Sequence, residues 1–232
     1  MNNLNHIAFI MDGNGRWGEK RKKGRNFGHL KGVETVKKIV KASIKLKVPI
    51  LTFYVFSSEN WKRPKKEISF LFKLIKNYFS REIKNVIKQG IRLNILGEKK
   101  KLSQEVKKVL KKSEILTKKN KKIIVNLAID YGAKSEIINA MKKSKNNLNI
   151  KNVEKNLYTR NLPNPDILVR TGGQQRLSNF MLWQLAYTEL YFTDCLWPDF
   201  DEKELDLAIK HYIKITRKFG ALKRPSRRRL LT

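Results

Sequence analysis

Residues 6–29 read HIAFIMDGNGRWGEKRKKGRNFGH. The run Ile7 to Met11 has no polar alternation, which marks a strand buried on both faces, as in parallel sheets covered by helices. A lone carboxylate, Asp12, closes the strand. Gly13, Asn14 and Gly15 then allow a sharp turn, and Arg16, Trp17, Arg21, Arg25 and His29 follow. Ligands of open parallel sheets bind beyond the carboxyl ends of the strands. Glycines let backbone amides approach an anion, and guanidinium groups add charge-assisted hydrogen bonds. The combination suits a diphosphate. Asp12 would repel a bare diphosphate, and magnesium, which takes one or two carboxylates plus phosphate oxygens, reconciles them. The GK[ST] ending of a nucleotide P-loop is absent. On its own, DGNG also reads as a tight turn capping a helix.

The same alternation of apolar run and helical pattern continues along the chain. Strands are expected at 7–11, 50–56, 91–96, 123–128, 167–170 and 190–193, and helices at 29–46, 67–89, 102–116, 134–143 and 202–219. This predicts an α/β fold: one domain with a six-stranded, mainly parallel sheet flanked by helices and joined by right-handed crossovers. Ile68, Leu71, Phe72, Ile75, Phe79, Ile83, Val86 and Ile87 form a wide apolar stripe on the 67–89 helix. The stripe reads first as ordinary core packing and second as the wall of a long apolar cavity, which periodicity does not separate. No linker, repeat or low-complexity insert divides the chain.

At 232 residues the chain is long enough for one domain with a substantial core. No apolar run reaches membrane-spanning length, and the first residues do not read as a signal peptide, so a cytoplasmic protein is expected. A single cysteine, Cys195, excludes an internal disulfide framework. The net charge of +32 is extreme and raises the question of a polyanionic partner. Residues 98–122, EKKKLSQEVKKVLKKSEILTKKNKK, hold eleven lysines against three acids and read as the solvated face of a helix. The arginines are fewer and stand beside glycines.

Three further stretches carry chemistry. FSSENWKRP, residues 56–64, follows a buried strand with Ser57, Ser58, Glu59, Asn60, Trp61 and Arg63. Helix capping accounts for one or two of these but not for Trp61 and Arg63 together. RTGGQQRLSNFMLWQ, residues 170–184, offers Arg170, Arg176 and Ser178 around two glycines, a second phosphate-binding pattern. AYTELYFTDCLWPDF, residues 186–200, holds Glu189 among aromatics.

In order and spacing, HIAFIMDGNGRW, Arg25 with FGH, FSSENWKRP, RTGGxxRLSNFxLWQ and ELYFTDxLWPDF resemble the cis-prenyltransferases, or Z-prenyl diphosphate synthases, above all the bacterial undecaprenyl diphosphate synthases. The resemblance runs from His6 to about Gly220, so 1–220 is expected to be the catalytic domain and 221–232 a basic tail. It implies a homodimer with a hydrophobic tunnel between sheet and helices. Farnesyl diphosphate would rest its diphosphate on Gly13, Asn14, Gly15, Arg16, Arg25 and His29, with Trp17 beside them. Isopentenyl diphosphate would sit on Arg170, Arg176 and Ser178. Asp12 would be catalytic and a magnesium ligand, with Glu189 reaching the metal site from the partner subunit. Ser57, Ser58, Glu59, Trp61 and Arg63 would order the loop between the substrates, and Asn60 would be catalytic in a proton-transfer network with Ser57 and His29.

This chain departs from the family pattern where Gln174 replaces an acid and where DYGAK, residues 130–134, replaces NYGGR. Three other readings stand beside the long-chain synthase, which would make a lipid carrier for cell-wall polysaccharide. One is a shorter-chain Z-prenyl diphosphate synthase. Another is a basic module that binds nucleic acid or a membrane surface. Its nucleic-acid form is not expected, because residues 98–122 have no aromatic to stack on a base. The last, a non-catalytic partner subunit, is disfavoured by the retained Asp12. The tail reads first as a frayed basic end, and its arginines alternatively as a peripheral contact with an anionic membrane.

Overall fold

Strand formation follows the apolar runs. In the computed structural model, which describes residues 4–216, β1 (His6–Ile10), β2 (Ile50–Ser57), β3 (Ile91–Leu96), β4 (Ile123–Tyr131), β5 (Ile167–Arg170) and β6 (Glu189–Phe192) form one sheet. The order is β3-β4-β2-β1-β5-β6 and every neighbouring pair is parallel. The helices are α1 (Asn14–Lys20), α2 (Gly24–Lys45), α3 (Lys65–Lys88), α4 (Gln104–Thr117), α5 (Ala133–Lys143), α6 (Ile150–Asn156) and α7 (Glu202–Lys214). The expected 202–219 helix thus ends at Lys214. Residues 217–219 of that expected helix and the basic tail lie outside the described residues.

Alternate strand residues serve two cores, as a pleated sheet requires. Ile7, Phe9, Leu51, Phe53, Val125 and Leu127 join a large cluster with buried residues of α2, α3, α4 and α7. Ala8, Ile10, Ala128 and Leu168 face a smaller one around Phe180 and Met181. The chain leaves β1 toward β2 and leaves β5 toward β6, on opposite sides of the sheet. The β1/β5 crevice is therefore the topological switch point, where α/β sheets bind ligands.

α6 was not anticipated, and α1 only as the helix that the DGNG turn would cap. Gly13, Gly15 and Gly18 interrupt the apolar period of α1, so its pattern reads as loop, and α6 is only seven residues long. β4 runs three residues past the expected Ala128, to Tyr131.

A buried polar chain crosses the sheet. Asn94 Nδ2 donates to Asn126 Oδ1, and Asn126 Nδ2 donates to Thr52 Oγ1, both at 2.9 Å. Thr52 Oγ1 lies 2.7 Å from His6 Nε2, and His6 Nδ1 lies 2.8 Å from Pro163 O. A carbonyl only accepts, so Nδ1 carries the proton and Thr52 donates to Nε2. Burial pushes the His6 pKa down from 6.5 to about 4, against the Pro163 hydrogen bond and Asp166. Between these values the unfolded chain holds a proton that the folded chain does not, so stability falls as pH drops. The loss expected from His6 between pH 7 and pH 5 is about 2 kcal/mol, read by urea unfolding. His6→Gln should flatten that dependence; an equally steep slope in the variant would contradict this role.

Candidate active site

Asp12 and Arg170 meet in the switch-point crevice. Ile10 is the register partner of Arg170, so the residues that follow β1 lie against the carboxyl end of β5. Arg170 Nη2 donates to Asp12 Oδ2 at 3.0 Å, and the arginine side chain is only 3% exposed against 31% for the aspartate. Arg170 Nη1 also donates to Ser178 Oγ at 2.8 Å and to the carbonyl of Arg176. The Asp12 main chain is fixed too: its carbonyl accepts from Thr171 Oγ1 at 2.8 Å and Trp197 N–H at 3.0 Å. Arg16 Nη2 stands 3.5 Å from Asp12 Oδ1 and donates to Gly172 O at 2.7 Å, bridging β1 and β5 from the rim.

The turn after Asp12 needs its glycines. Gly13 has φ +104°, and a side chain there would strike Leu196. Gly15 leaves the space filled by the Arg25 guanidinium, only 2.5 Å from where a Cβ would stand. Across the cavity, Ser57 caps a 3₁₀ turn at Ser58–Lys62 through a reciprocal pair: Asn60 N–H donates to Ser57 Oγ at 3.2 Å, and Ser57 N–H to Asn60 Oδ1 at 3.1 Å. This engages the amide oxygen of Asn60, so Nδ2 is its end available to a ligand.

A cavity of about 680 Å³ gathers Asp12, Asn14, His29, Ser57, Glu59, Asn60, Arg63, Arg170, Arg176 and Ser178. Met11, Asn14, His29, Val55 and Leu71 continue from it into an apolar cavity of about 120 Å³ between the sheet, α2 and α3. Leu74, Ile75, Tyr78 and Phe79 of α3 line this second space, so part of the α3 stripe is cavity wall and not only core. Val36, Tyr78, Phe79 and Leu127 are shared with a third cavity of about 320 Å³ beyond it.

Several expected site residues do other work. Trp17 is buried, stacks on Phe27 and donates to Asp199 Oδ1 at 2.6 Å, so it packs α1 and does not face the cavity. Trp61 donates to Asp130 Oδ1 at 2.6 Å and stacks on Phe72, which anchors the 3₁₀ turn. Ser58 lies against Gly132. Glu189 opens β6 beside Ile167, the end of the sheet opposite Asp12. Within one protomer it is not part of this site.

Glu67 was missed by sequence reading. Its carboxylate meets Arg63 at 3.1 Å, Arg25 at 3.2 Å and His29 at 3.4 Å, gathering cations from α2 and the 3₁₀ turn onto the first turn of α3. The available signal was its position four residues after Arg63. Burial pushes the Glu67 carboxyl up, but Arg25, then Arg63 and His29, outweigh burial and hold it below the ordinary carboxylate range. Burial lowers the His29 pKa, aided by Arg63 and Arg25 and opposed by Glu67, so the imidazole is neutral at pH 7. Asn179 was missed as well. Its Nδ2 donates to Glu59 at 2.8 Å and its Oδ1 accepts from the Lys134 N–H at 2.9 Å. The DYGAK stretch thus supports the site through Asp130 and the amides of Ala133 and Lys134. Gln174 Oε1 accepts from Arg176 Nη1 at 2.5 Å, giving Arg176 a neutral partner where the family acid would stand.

Comparison with known proteins agrees with this geometry. Residues 10–220 match the family model described as "Putative undecaprenyl diphosphate synthase". The chain belongs to this family. It is 46% identical over 222 residues to the isoprenyl transferase of Fusobacterium nucleatum, covering 94% of this chain and 96% of that one. It is 44% identical to the ditrans,polycis-undecaprenyl-diphosphate synthase ((2E,6E)-farnesyl-diphosphate specific) of Haemophilus influenzae, covering 93% and 94%. The fold superposes on lavandulyl diphosphate synthase from Lavandula x intermedia, solved with dimethylallyl diphosphate, at TM-score 0.89 and 33% identity, covering 93% and 98%. The chain is thus a cis-prenyltransferase by family, with the expected parallel α/β fold.

Replacing Glu67 by Gln removes the one charge that raises the His29 pKa. A further fall in that pKa is expected by NMR titration of the imidazole; an unchanged or higher value would contradict the cluster described.

Proposed function

We propose that the protein condenses isopentenyl diphosphate repeatedly onto farnesyl diphosphate in Z configuration, giving a long-chain product of undecaprenyl type, the precursor of a lipid carrier for cell-wall polysaccharide. The observation that carries this reading is the junction of a cationic cavity around Asp12 with an apolar cavity under α3. One end suits a diphosphate and the other a hydrocarbon. A basic binding module has no need of such a junction.

Arg25, His29 and the turn at Gly13–Arg16 take the allylic diphosphate, while Arg170, Arg176 and Ser178 take that of isopentenyl diphosphate. The allylic C–O bond breaks and diphosphate leaves. The double bond of isopentenyl diphosphate supplies the new C–C bond, and loss of a proton restores unsaturation. The apolar walls exclude water from the allylic centre, where hydrolysis competes. We assign the proton's path to the polar cluster of Ser57, Asn60 and the neutral His29.

The residues present fit magnesium. Asp12 offers partly exposed carboxylate oxygen to a cavity otherwise rich in cations, a donor suited to an ion that takes its remaining ligands from phosphate oxygens. Magnesium, when bound, supplies charge neutralisation of the departing diphosphate. Glu189 is assigned to the shared site of a homodimer. Its strand β6 is an edge strand, and the nearby Tyr187 and Leu190 are exposed apolar surface.

No helix among the described residues is long and apolar enough to cross a membrane. We place the enzyme in the cytoplasm, with peripheral contact at the inner face of the membrane.

Asp12→Ala is expected to fold and to lose at least about tenfold in turnover of farnesyl and isopentenyl diphosphates with magnesium, a barrier increase above about 1.4 kcal/mol. Retention of more than about a tenth of the activity contradicts the assignment. Sedimentation should give a dimer at working concentration; a monomer with full activity removes Glu189 from the site.

A further inference from the structure

The turns after α2, α3 and α4 share the end of the sheet opposite Asp12. Hydrogen bonds tie them together: Ile124 N–H donates to Pro49 O at 2.8 Å, Lys122 N–H to Gly90 O at 3.0 Å, and Asn120 Nδ2 to Ile91 O at 2.8 Å. Residues 41–49, 84–91 and 111–122, which form this end and the helix turns leading to it, contain eleven lysines and one acid. All eleven lysines are exposed. The acid, Glu114, is half-buried and accepts from Ile95 N–H at 2.7 Å. Here Leu46, Ile87, Ile115 and Leu116 stand exposed among the lysines, Ile115 at 61%.

The third cavity of the chain-binding series opens at this same end. Its inner wall is Tyr78, Phe79, Leu93 and Val125, and its rim includes the exposed Lys41 and Asn85 and the ion pair of Lys37 with Glu82 at 2.7 Å. Apolar space thus runs from the site, past Tyr78 and Phe79, to a basic surface studded with aliphatic groups.

We propose that this end docks on an anionic lipid surface. Lysines meet phosphate headgroups, the aliphatic side chains enter the headgroup–acyl boundary, and the apolar cavity faces the bilayer. The three segments contain no aromatic residue, which disfavours single-stranded nucleic acid as the polyanion. The inference deepens the proposed function, because a polyprenyl product needs a bilayer to receive it. Its test is read without turnover, so failed elongation and failed docking are told apart.

The experiment is co-sedimentation of the full chain with phosphatidylcholine vesicles, with and without phosphatidylglycerol. Binding is expected only with the anionic lipid and should weaken with salt. Replacing Lys88, Lys118, Lys119, Lys121 and Lys122 by Ser should weaken it by more than about a hundredfold, since each lysine near the surface is worth roughly fivefold at low salt. Ile115→Ser with Leu116→Ser should remove the binding that persists at high salt. Serine at Lys142, Lys143, Lys145, Lys151 and Lys155, an equal charge change on α5, α6 and the turn between them, should leave binding within about threefold, well short of one lysine's worth. All ten lysines are exposed, and thermal unfolding confirms that the variants fold. Absence of binding, equal loss in the two five-lysine variants, full retention in the first, or tighter binding to single-stranded nucleic acid than to vesicles overturns the proposal.

Discussion

A guanidinium group withdrawn from water needs an anion, and the Asp12–Arg170 pair answers that need at the switch point of the sheet. Removing the aspartate leaves the buried guanidinium without its anion, at a cost below the roughly 3–5 kcal/mol of a fully buried pair because Asp12 is 31% exposed. The pair is asymmetric. Arg170 is buried and directs Nη1 to Ser178 and the Arg176 carbonyl, while Asp12 keeps an exposed side toward the cavity. One contact therefore aligns the loop after β1 with the loop after β5, the two stretches that carry the diphosphate-binding patterns. The sheet order makes this possible, since β1 and β5 are neighbours whose connections leave in opposite directions.

Charge balance around the cavity follows from that frame. Arg25 and Arg63 would repel one another if left alone, and Glu67 holds them together with the neutral His29. Arg176 leans on Gln174, whose neutral amide positions the guanidinium without cancelling its charge. The second phosphate pattern thereby keeps its full positive charge, which gives the loss of the family acid a physical consequence.

The strands were legible because apolar runs without alternation occur where a parallel sheet is covered on both faces. Residues 91–96 and 167–170 were placed without error, and β6 shifted by one residue at each end. Of α1 only the capping turn was legible, because the glycines that let Arg25 and Leu196 approach also erase helical periodicity. Most polar site residues were legible because they follow strand ends. Glu67, Asn179 and Asp130 were not, because their roles arise from elements distant in sequence: Asp130 takes the Trp61 N–H across 69 residues, and Asn179 meets Glu59 across 120. Trp17 sits inside a conspicuous motif, yet its indole N–H is spent on Asp199. Proximity to a motif does not place a side chain in the cavity.

The account stands or falls on chain elongation at this site. The most direct measurement is product sizing after incubating the protein with farnesyl diphosphate, labelled isopentenyl diphosphate and magnesium, beside a chelated control. A magnesium-dependent ladder of Z-configured products ending near the undecaprenyl length is the expected result. No elongation by folded protein, or elongation indifferent to chelation, would contradict the account.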